Sequence, residues 1–430
     1  LENFFKLKEN NTNIKQEIIA GITTFMTMAY ILIVNPSILS VAGMDQGAVF
    51  TATAISAVVA TLVMGLYAKL PFAQAPGMGL NAFFAFTVVK GMGYSYEFAL
   101  TAVFLEGLIF IFLTLFNVRE AVVDSIPMSI KRGISVGIGL LIALIGLEGA
   151  GIVVHPEGGG LLIGLGNITK GPGLLAIIGI IITGVLISRK VKGALFIGML
   201  LTSLIGIPMG VTTLPSNIMS MPPSIGSVFF KFQWNNIFTL DMAIVLFTLL
   251  FMDMFDTIGT LVGVATKAKM LDKDGKVPNI KKALFADAIG TTVGACLGTS
   301  TVSTFVESAA GVAEGGRTGL TAVSTAVMFF LALFFSPIFA VITPAVTASA
   351  LVLVGLFMIE PIKEIELDDY TEALPAFLTI IMMPFSYSIS DGIVFGVVSY
   401  ILLKLFTGKY KDISIATLVV GIIFVLKFLI

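Results

Sequence analysis

The sequence predicts an all-α polytopic membrane protein, fourteen transmembrane segments folded as a seven-plus-seven inverted repeat. Three observations predict it. Of the 430 residues, 57% are hydrophobic and only 12% charged, with a mean hydropathy of +1.03, whereas soluble domains run at roughly 25% charged. The apolar residues gather into runs close to the ~20 residues that cross a bilayer core as a helix. Two of those runs are interrupted by small and polar residues, and both stand third in their half of the chain.

The first repeat, residues 1–212, holds apolar runs at 17–35, 49–69, 97–117, 132–150, 172–188 and 193–209, with the broken segment 71–90 after the second. A linker, 213–239, is expected on the outer side. The second repeat, 240–412, holds runs at 240–263, 282–298, 316–336, 338–359, 371–387 and 390–407, with the broken segment 298–313 after the second. Lysine and arginine orient the array. The N-terminus, with Lys6, Lys8 and Lys15, is placed in the cytoplasm, and each broken segment counts as one crossing. The basic loops then fall inside, among them Arg119, Lys131, Arg189 and the lysine-rich stretch from Lys267 to Lys282; only Lys90, Lys170 and Lys231 fall outside. Omitting one broken segment puts the basic loops between it and the other on the wrong side. The apolar C-terminal segment, 413–430, is expected at the inner interface rather than as a fifteenth crossing.

The two interruptions carry the functional signal. LPFAQAPGMGLNAFFAF (70–86) and GTSTVSTFVESAAGVAEGG (298–316) each join a small or polar stretch to a helix too short to span. Irregular backbone at membrane depth survives only where protein buries it or it lines a cavity. Interrupted helices at corresponding places in inverted halves point to a transporter binding site. Between them in the chain lies LLFMDMFDTIGT (249–260), which sets Asp253 and Asp256 three residues apart on one helix, with Thr257 and Thr260 near the same stripe. Carboxylates inside a membrane span are functional candidates because they are expensive unless paired or hydrated.

Asn81 near the start of the first short helix, and Glu307 with Ser308 near the start of the second, are expected to converge on that face. Carboxylates and an amide make an acceptor-rich site. It suits a flat neutral molecule with several N–H donors, such as a purine base, or a cation; it does not suit a free anion. Phe83, Phe251, Phe255 and Phe305 offer stacking faces, or are ordinary core and lipid-facing residues. Burial and a like-charged neighbour both disfavour an ionised carboxylate, so a proton is the expected coupling ion, with Asp253 or Glu307 its carrier and sodium left open. Glu106 and Asp287 are read as structural contacts, with direct substrate contact as the alternative for each, and Asp391 as a helix cap.

Other chemistries find no support. One histidine, His155, sits in an outer loop with no second ligand type beside it, so neither a metal site nor a Ser/His/Asp triad is expected. GVAEGGRTG (311–319) lacks the lysine of a phosphate loop. No basic tract exists to bind nucleic acid at a net charge of −1, and the lone Cys296 excludes an internal disulfide. The charged N-terminal stretch leads straight into the first span, with no separate signal peptide expected. No interval is long enough for an extramembrane catalytic domain, so the chain is not expected to be an enzyme.

The stretches QAPGMGLNAFF, LFMDMFDTIGTLVG and TSTVSTFVESAAGVAEGGRTGL, with the opening AGITTFMTMAYILIVNP, closely resemble the purine permeases of the AzgA-like branch of the nucleobase:cation symporter-2 family. The resemblance runs along nearly the whole chain. It implies proton-coupled import of hypoxanthine, guanine or adenine with no cofactor, by a homodimer in the plasma membrane. It also implies short antiparallel strands beside the half-helices of the third and tenth segments. A core of crossings one to four and eight to eleven would move against a gate of the remaining six. By position, Gly79 and Asn81 match the third-segment substrate contacts, Asp253, Asp256 and Thr260 the eighth-segment set, and Glu307 the tenth-segment glutamate. Two departures weaken transfer of uracil or xanthine specificity: Ser308 follows Glu307 where the wider family often has asparagine, and Thr257 replaces a histidine. The rival expectations are an anion transporter or exchanger of the same fold, and a nucleobase channel or sensor.

Overall fold

The computed structural model describes residues 2–116, 127–155, 163–215, 217–267, 270 and 277–429. The expected inside positions of Arg119 and of the lysines between 271 and 276 fall outside these residues. Helices dominate. The first half contains α1 (Ile14–Met28), α2 (Ile31–Val41), α3 (Gln46–Val63), β1 (Gln74–Pro76), α4 (Met78–Ala82), α5 (Tyr96–Phe116), α6 (Met128–Gly149), α7 (Gly171–Ser188) and α8 (Ala194–Gly206). Two-residue strands β2 (Val153–Val154) and β3 (Gly164–Leu165) form a hairpin between α6 and α7. The second half contains α9 (Leu240–Lys267), α10 (Ile280–Leu297), β4 (Val302–Thr304), α11 (Ser308–Ala313), α12 (Gly319–Ala332), α13 (Pro344–Met358), α14 (Tyr370–Ser386), α15 (Ile389–Phe406) and α16 (Ile415–Leu429). Among the described residues, eight helical stretches are by length and composition able to cross a membrane. The third and tenth segments are the two expected interruptions, each a strand followed by a short helix, the first prolonged by a wider helical turn over Phe83–Gly91.

Local chemistry sets the helix boundaries. Asn13 caps α1 by accepting from Gln16 N at 3.0 Å, Asp45 caps α3 by accepting from Ala48 N at 2.7 Å, and Asp369 caps α14 by accepting from Thr371 N at 2.9 Å. The cap of α15 is Ser388, which accepts from Asp391 N at 3.2 Å; Asp391 lies in the first turn and is not the cap itself, because the hydroxyl three residues upstream reaches its amide first. The first segment is longer than its apolar run and broken in the middle. Pro36 brings no N–H and its ring crowds the carbonyl one turn back. The interruption itself lies upstream, at Ala29 and Tyr30, where the ladder tightens to Leu32 N→Ala29 O (3.2 Å) and Ile33 N→Tyr30 O (3.0 Å), while Pro36 stands inside α2.

The helices pack into two sets. In one, α1, α3, α5, α10 and α12 pack against one another around the strands; in the other, α6 packs on α13 and α14, α7 on α8 and α13, and α14 on α15. Small residues allow the close approaches that apolar lipid does not otherwise drive. At the crossing of α6 and α13 a methyl group on Gly139 would stand 2.6 Å from the Gly355 carbonyl oxygen. The carboxylate of Glu17 on α1 is fully buried and accepts from Thr318 N, Thr321 N and both threonine hydroxyls at 2.6–3.2 Å, closing the N-terminus of α12 across the two halves. The C-terminal helix α16 lies along α15, with Gly421 seated on Ile401.

Candidate functional site

Two broken segments solve each other's backbone problem. β1 and β4 pair antiparallel in the register Gln74↔Thr304, Ala75↔Ser303, Pro76↔Val302. The ribbon is extended by Gly77 N→Thr301 O and Phe305 N→Ala73 O, both 3.0 Å. Every residue of both strands is buried. Each strand leads at once into its short helix, so the antiparallel pairing sends α4 and α11 away in opposite directions. Ser308, the first residue of α11, spends its hydroxyl oxygen accepting from Ala73 N at 3.0 Å and so pins the two segments together.

Helix α9 runs beside this ribbon, and its acids divide between the two sides. Alternate residues of a strand point to opposite faces. Ser303 points one way and donates to Asp256 Oδ2 at 3.0 Å. Asp256 is exposed although its partner Ser303 is buried on β4, so the acid stands at an accessible edge of the ribbon, the crevice of the site. Thr260, four residues on, is half-buried along the same stripe. Glu307, half-buried, lies close enough to Asp256 for the two charges to interact. Its Oε1 accepts from the Tyr30 hydroxyl at 2.6 Å, and its carbonyl from Thr27 Oγ1 at 3.4 Å.

On the other side of β4 the side chains are sealed. Asp253 is fully buried and faces Asp287 of α10 and Glu106 of α5. Asp287 Oδ1 accepts from Gln74 Nε2 and from Thr257 Oγ1, each at 2.9 Å. Gln74 Nε2 also reaches Thr304 Oγ1 at 3.1 Å, and Thr304 N donates to Thr257 Oγ1 at 3.2 Å. Glu106 Oε2 accepts from Thr301 Oγ1 at 2.5 Å. Asp253 and Asp256 therefore do not share a face, contrary to the expectation from their spacing. Three residues turn a helix by about 300°, leaving the two side chains roughly 60° apart, and β4 stands in that angle. Thr257, four residues after Asp253, lies on the sealed side with it, its hydroxyl donating to Asp287 Oδ1.

Asn81 is buried, its Oδ1 accepting from the Ser300 hydroxyl, while its Nδ2 has no acceptor among the described residues. Gly79 is half-buried with Ile138 of α6 beside it: a methyl group there would stand 3.2 Å from Ile138 Cγ2. Of the four phenylalanines, Phe83, Phe251 and Phe305 are packed into the core, where they offer no open stacking face; the side chain of Phe255 falls outside those described. Sequence reasoning missed Tyr30, Gln74, Thr301 and Ser303. Polar uncharged residues are unremarked in membrane helices, and only the proline six residues after Tyr30 hinted that its segment is broken. His155 lies away from all of this, 3.0 Å from Glu148 Oε1.

An accessible acidic crevice at the meeting of two interrupted, oppositely running membrane segments defines a multi-pass membrane transporter, not an enzyme. The chain belongs to the Permease family, whose model matches residues 15–395. Its relatives include the permease MJ0326 of Methanocaldococcus jannaschii, 50% identical over 100% of this chain and 98% of that one. The adenine permease AdeQ of Escherichia coli is 42% identical over 99% and 96%, and the guanine/hypoxanthine permease PbuG of Bacillus subtilis 44% identical over 100% and 99%. Among solved structures, the transmembrane domain of the cyanobacterial bicarbonate transporter BicA matches with a TM-score of 0.68 at 17% identity, covering 90% of this chain and 97% of that one. The murine anion transporter Slc26a9 matches at 0.65 and 12% identity, covering 92% and 69%. The fold is thus the seven-plus-seven inverted repeat with core and gate.

Proposed function

We propose that this protein imports purine nucleobases (hypoxanthine, guanine or adenine) across the plasma membrane in symport with protons, its N-terminus cytoplasmic and its working form a homodimer. The observation that carries this reading is the open pair Asp256 and Glu307. Tyr30 occupies one oxygen of Glu307, which leaves the other for a substrate N–H, while Asp256 nearby offers its second oxygen. Two acceptors facing one another match a flat heterocycle with donors on two edges. The free amide of Asn81 adds a donor for a carbonyl or ring nitrogen, and Gly79 and Thr260 leave room along the rim. The names of relatives at 42–45% identity, adenine and guanine/hypoxanthine permeases, support the same substrate class.

Transport then requires the core, with this crevice, to shift against the gate so that one side opens at a time. A second reading is anion transport, the activity of the bicarbonate and anion transporters that share the fold. An acceptor-lined crevice repels a free anion, which sets the first reading above it. Binding competition on purified protein separates the two. Purines, and not uracil, bicarbonate or sulfate, are expected to displace bound labelled hypoxanthine, and Glu307→Gln and Asp256→Asn each to weaken binding at least tenfold. Displacement by bicarbonate or sulfate with purines inert would establish the anion reading instead.

A further inference from the structure

We infer that the stretch from Val228 to Leu240, in the linker between the two repeats, is a membrane-docking ledge whose partner is the headgroup–acyl boundary of the bilayer. Docking requires that α5 span the membrane and is independent of what the protein carries. Helix α5 (Tyr96–Phe116) is long and apolar enough to cross; at 1.5 Å per residue it measures about 31 Å, close to the thickness of the hydrocarbon core. One stripe of α5 faces away from the protein. Leu108 and Leu115, four and eleven residues after Phe104, are exposed, while Glu106 and Phe110 on the other side are buried.

The ledge continues that stripe. Phe104 is covered by rings of the linker, with centroids of Phe232 at 4.9 Å and Trp234 at 6.1 Å. Phe230 stands 5.8 Å from Phe232 and 4.7 Å from Phe229, which extends the same cluster. The far sides of these rings stay open: Phe229 is 44%, Phe230 57% and Trp234 48% exposed, and Phe238, just before α9, is 98% exposed. Hydrogen bonds fix the depth. Gln233 N donates to Thr101 Oγ1, and Gln233 Oε1 accepts from Ser95 Oγ, both at 2.8 Å, so the rings lie beside the first two turns of α5. Irregular chain at membrane depth needs its amides answered; Phe229 N donates to Ile225 O, Phe230 N to Cys296 O and Phe232 N to Phe230 O at 2.9–3.1 Å. A contiguous apolar patch of this kind marks a protein or membrane contact, and continuity with the lipid-facing stripe of α5 selects the membrane. Tryptophan settles at the headgroup level, and the exposed Lys231 can lay its stem along the apolar region with its ammonium in water.

On its other side the ledge is tied to the scaffold of the site. Val228 is buried against Gly298, where an added methyl group would collide with Val228 Cβ. The Phe230 amide holds the Cys296 carbonyl at 2.9 Å. The turn so held leads into β4, and its Ser300 hydroxyl donates to Asn81. The bilayer surface thereby steadies the approach to the paired strands.

Trp234 is the chain's one tryptophan, so the full-length parent reports on the ledge without substitution. In nanodiscs, phospholipids brominated near the top of the acyl chain are expected to quench its emission roughly twofold or more, and aqueous iodide to remove little. Phe238→Trp in a Trp234→Phe background moves the reporter to the most open ring and is expected to give the same pattern; if that variant does not fold, the parent decides alone. Strong quenching by iodide with none by brominated lipid would put the ledge in water and overturn the proposal. Quenching by neither would show that a second copy of the chain or another protein covers it, and overturns the proposal equally.

Discussion

The Tyr30 hydroxyl lies 2.6 Å from Glu307 Oε1, and through it the break in the first membrane segment grips the start of the short helix in the tenth. A phenol can donate one hydrogen bond and hold the carboxylate in a single rotamer. Tyr30→Phe keeps the ring and removes the donor. A hydrogen bond to a charged group is worth about 1.5–3 kcal/mol, so the expected outcome is a purine Kd raised at least tenfold, measured by calorimetry, with the melting temperature nearly unchanged. An unchanged Kd would show that Glu307 needs no orientation.

Glu17 answers five donors at the head of α12 from within α1, the Arg317 backbone N–H among them. Glu17→Ala leaves them buried and unanswered, and at about 1–3 kcal/mol for the first such group the expected loss is several degrees of melting temperature in detergent. Glu17→Gln retains acceptor capacity on one oxygen and is expected to lose less. Equal losses would mean that the carboxylate's charge, not its geometry, closes the helix.

Gly139 and Gly355 let α6 and α13 touch backbone to backbone. A side chain at Gly139 forces the helices apart, and overpacking typically removes about 1–3 kcal/mol. Gly139→Val is expected to lower thermal stability sharply, whereas Gly184→Ala, whose added methyl group meets nothing within 4 Å, is expected to leave it unchanged. Similar melting curves for the two variants would refute the packing account.

Lys192, in the turn between α7 and α8, forms an ion pair with Glu314 at the end of α11, and so ties the two helix sets together at one end of the molecule. Lys192→Gln removes the tie without touching the crevice. Because the pair is partly exposed, roughly 1 kcal/mol at most is at stake; the expected result is a severalfold change in initial uptake rate with Kd constant. A shift in Kd with rate constant would place the pair in binding, not in movement.

The cap of α14 is built to survive acid. A hydrogen bond from the Lys409 ammonium, then bonds from Thr371, hold the Asp369 carboxyl well below the usual carboxylate range. A depressed folded value means that the cap's contribution is fully present above the unfolded carboxylate value, about 3.9, and is lost only as pH falls through the folded one. The protection of the first-turn amides of α14, relative to the free-chain exchange rate at each pH, is therefore expected to be the same at pH 4 and pH 7. In Lys409→Met it should fall at pH 4; equal protection in the variant at both values would remove lysine from the explanation.

Much of the site could be seen in the chain, for a definite reason. Asn81, Asp253, Asp256 and Glu307 are conspicuous because charged and amide side chains are expensive in apolar runs. Tyr30, Ser303 and Gln74 carry no such penalty at the level of composition, and only their partners in space show what they do. Glu106 and Asp287 were visible as acids but not as neighbours, since 181 positions separate them and nothing between announces that α5 packs on α10.

Hydropathy and charge along the chain determined the membrane setting, the order of the segments, the two matched interruptions and the family, because each is written locally in runs of residues. Which carboxyl group faces the crevice and which is sealed behind it was decided by tertiary structure alone. That division depends on the rotation of α9 about its axis and on the register that sets Ser303 opposite Ala75. Both are fixed by packing between segments hundreds of residues apart, and a one-residue slip in the strand would exchange the two sides.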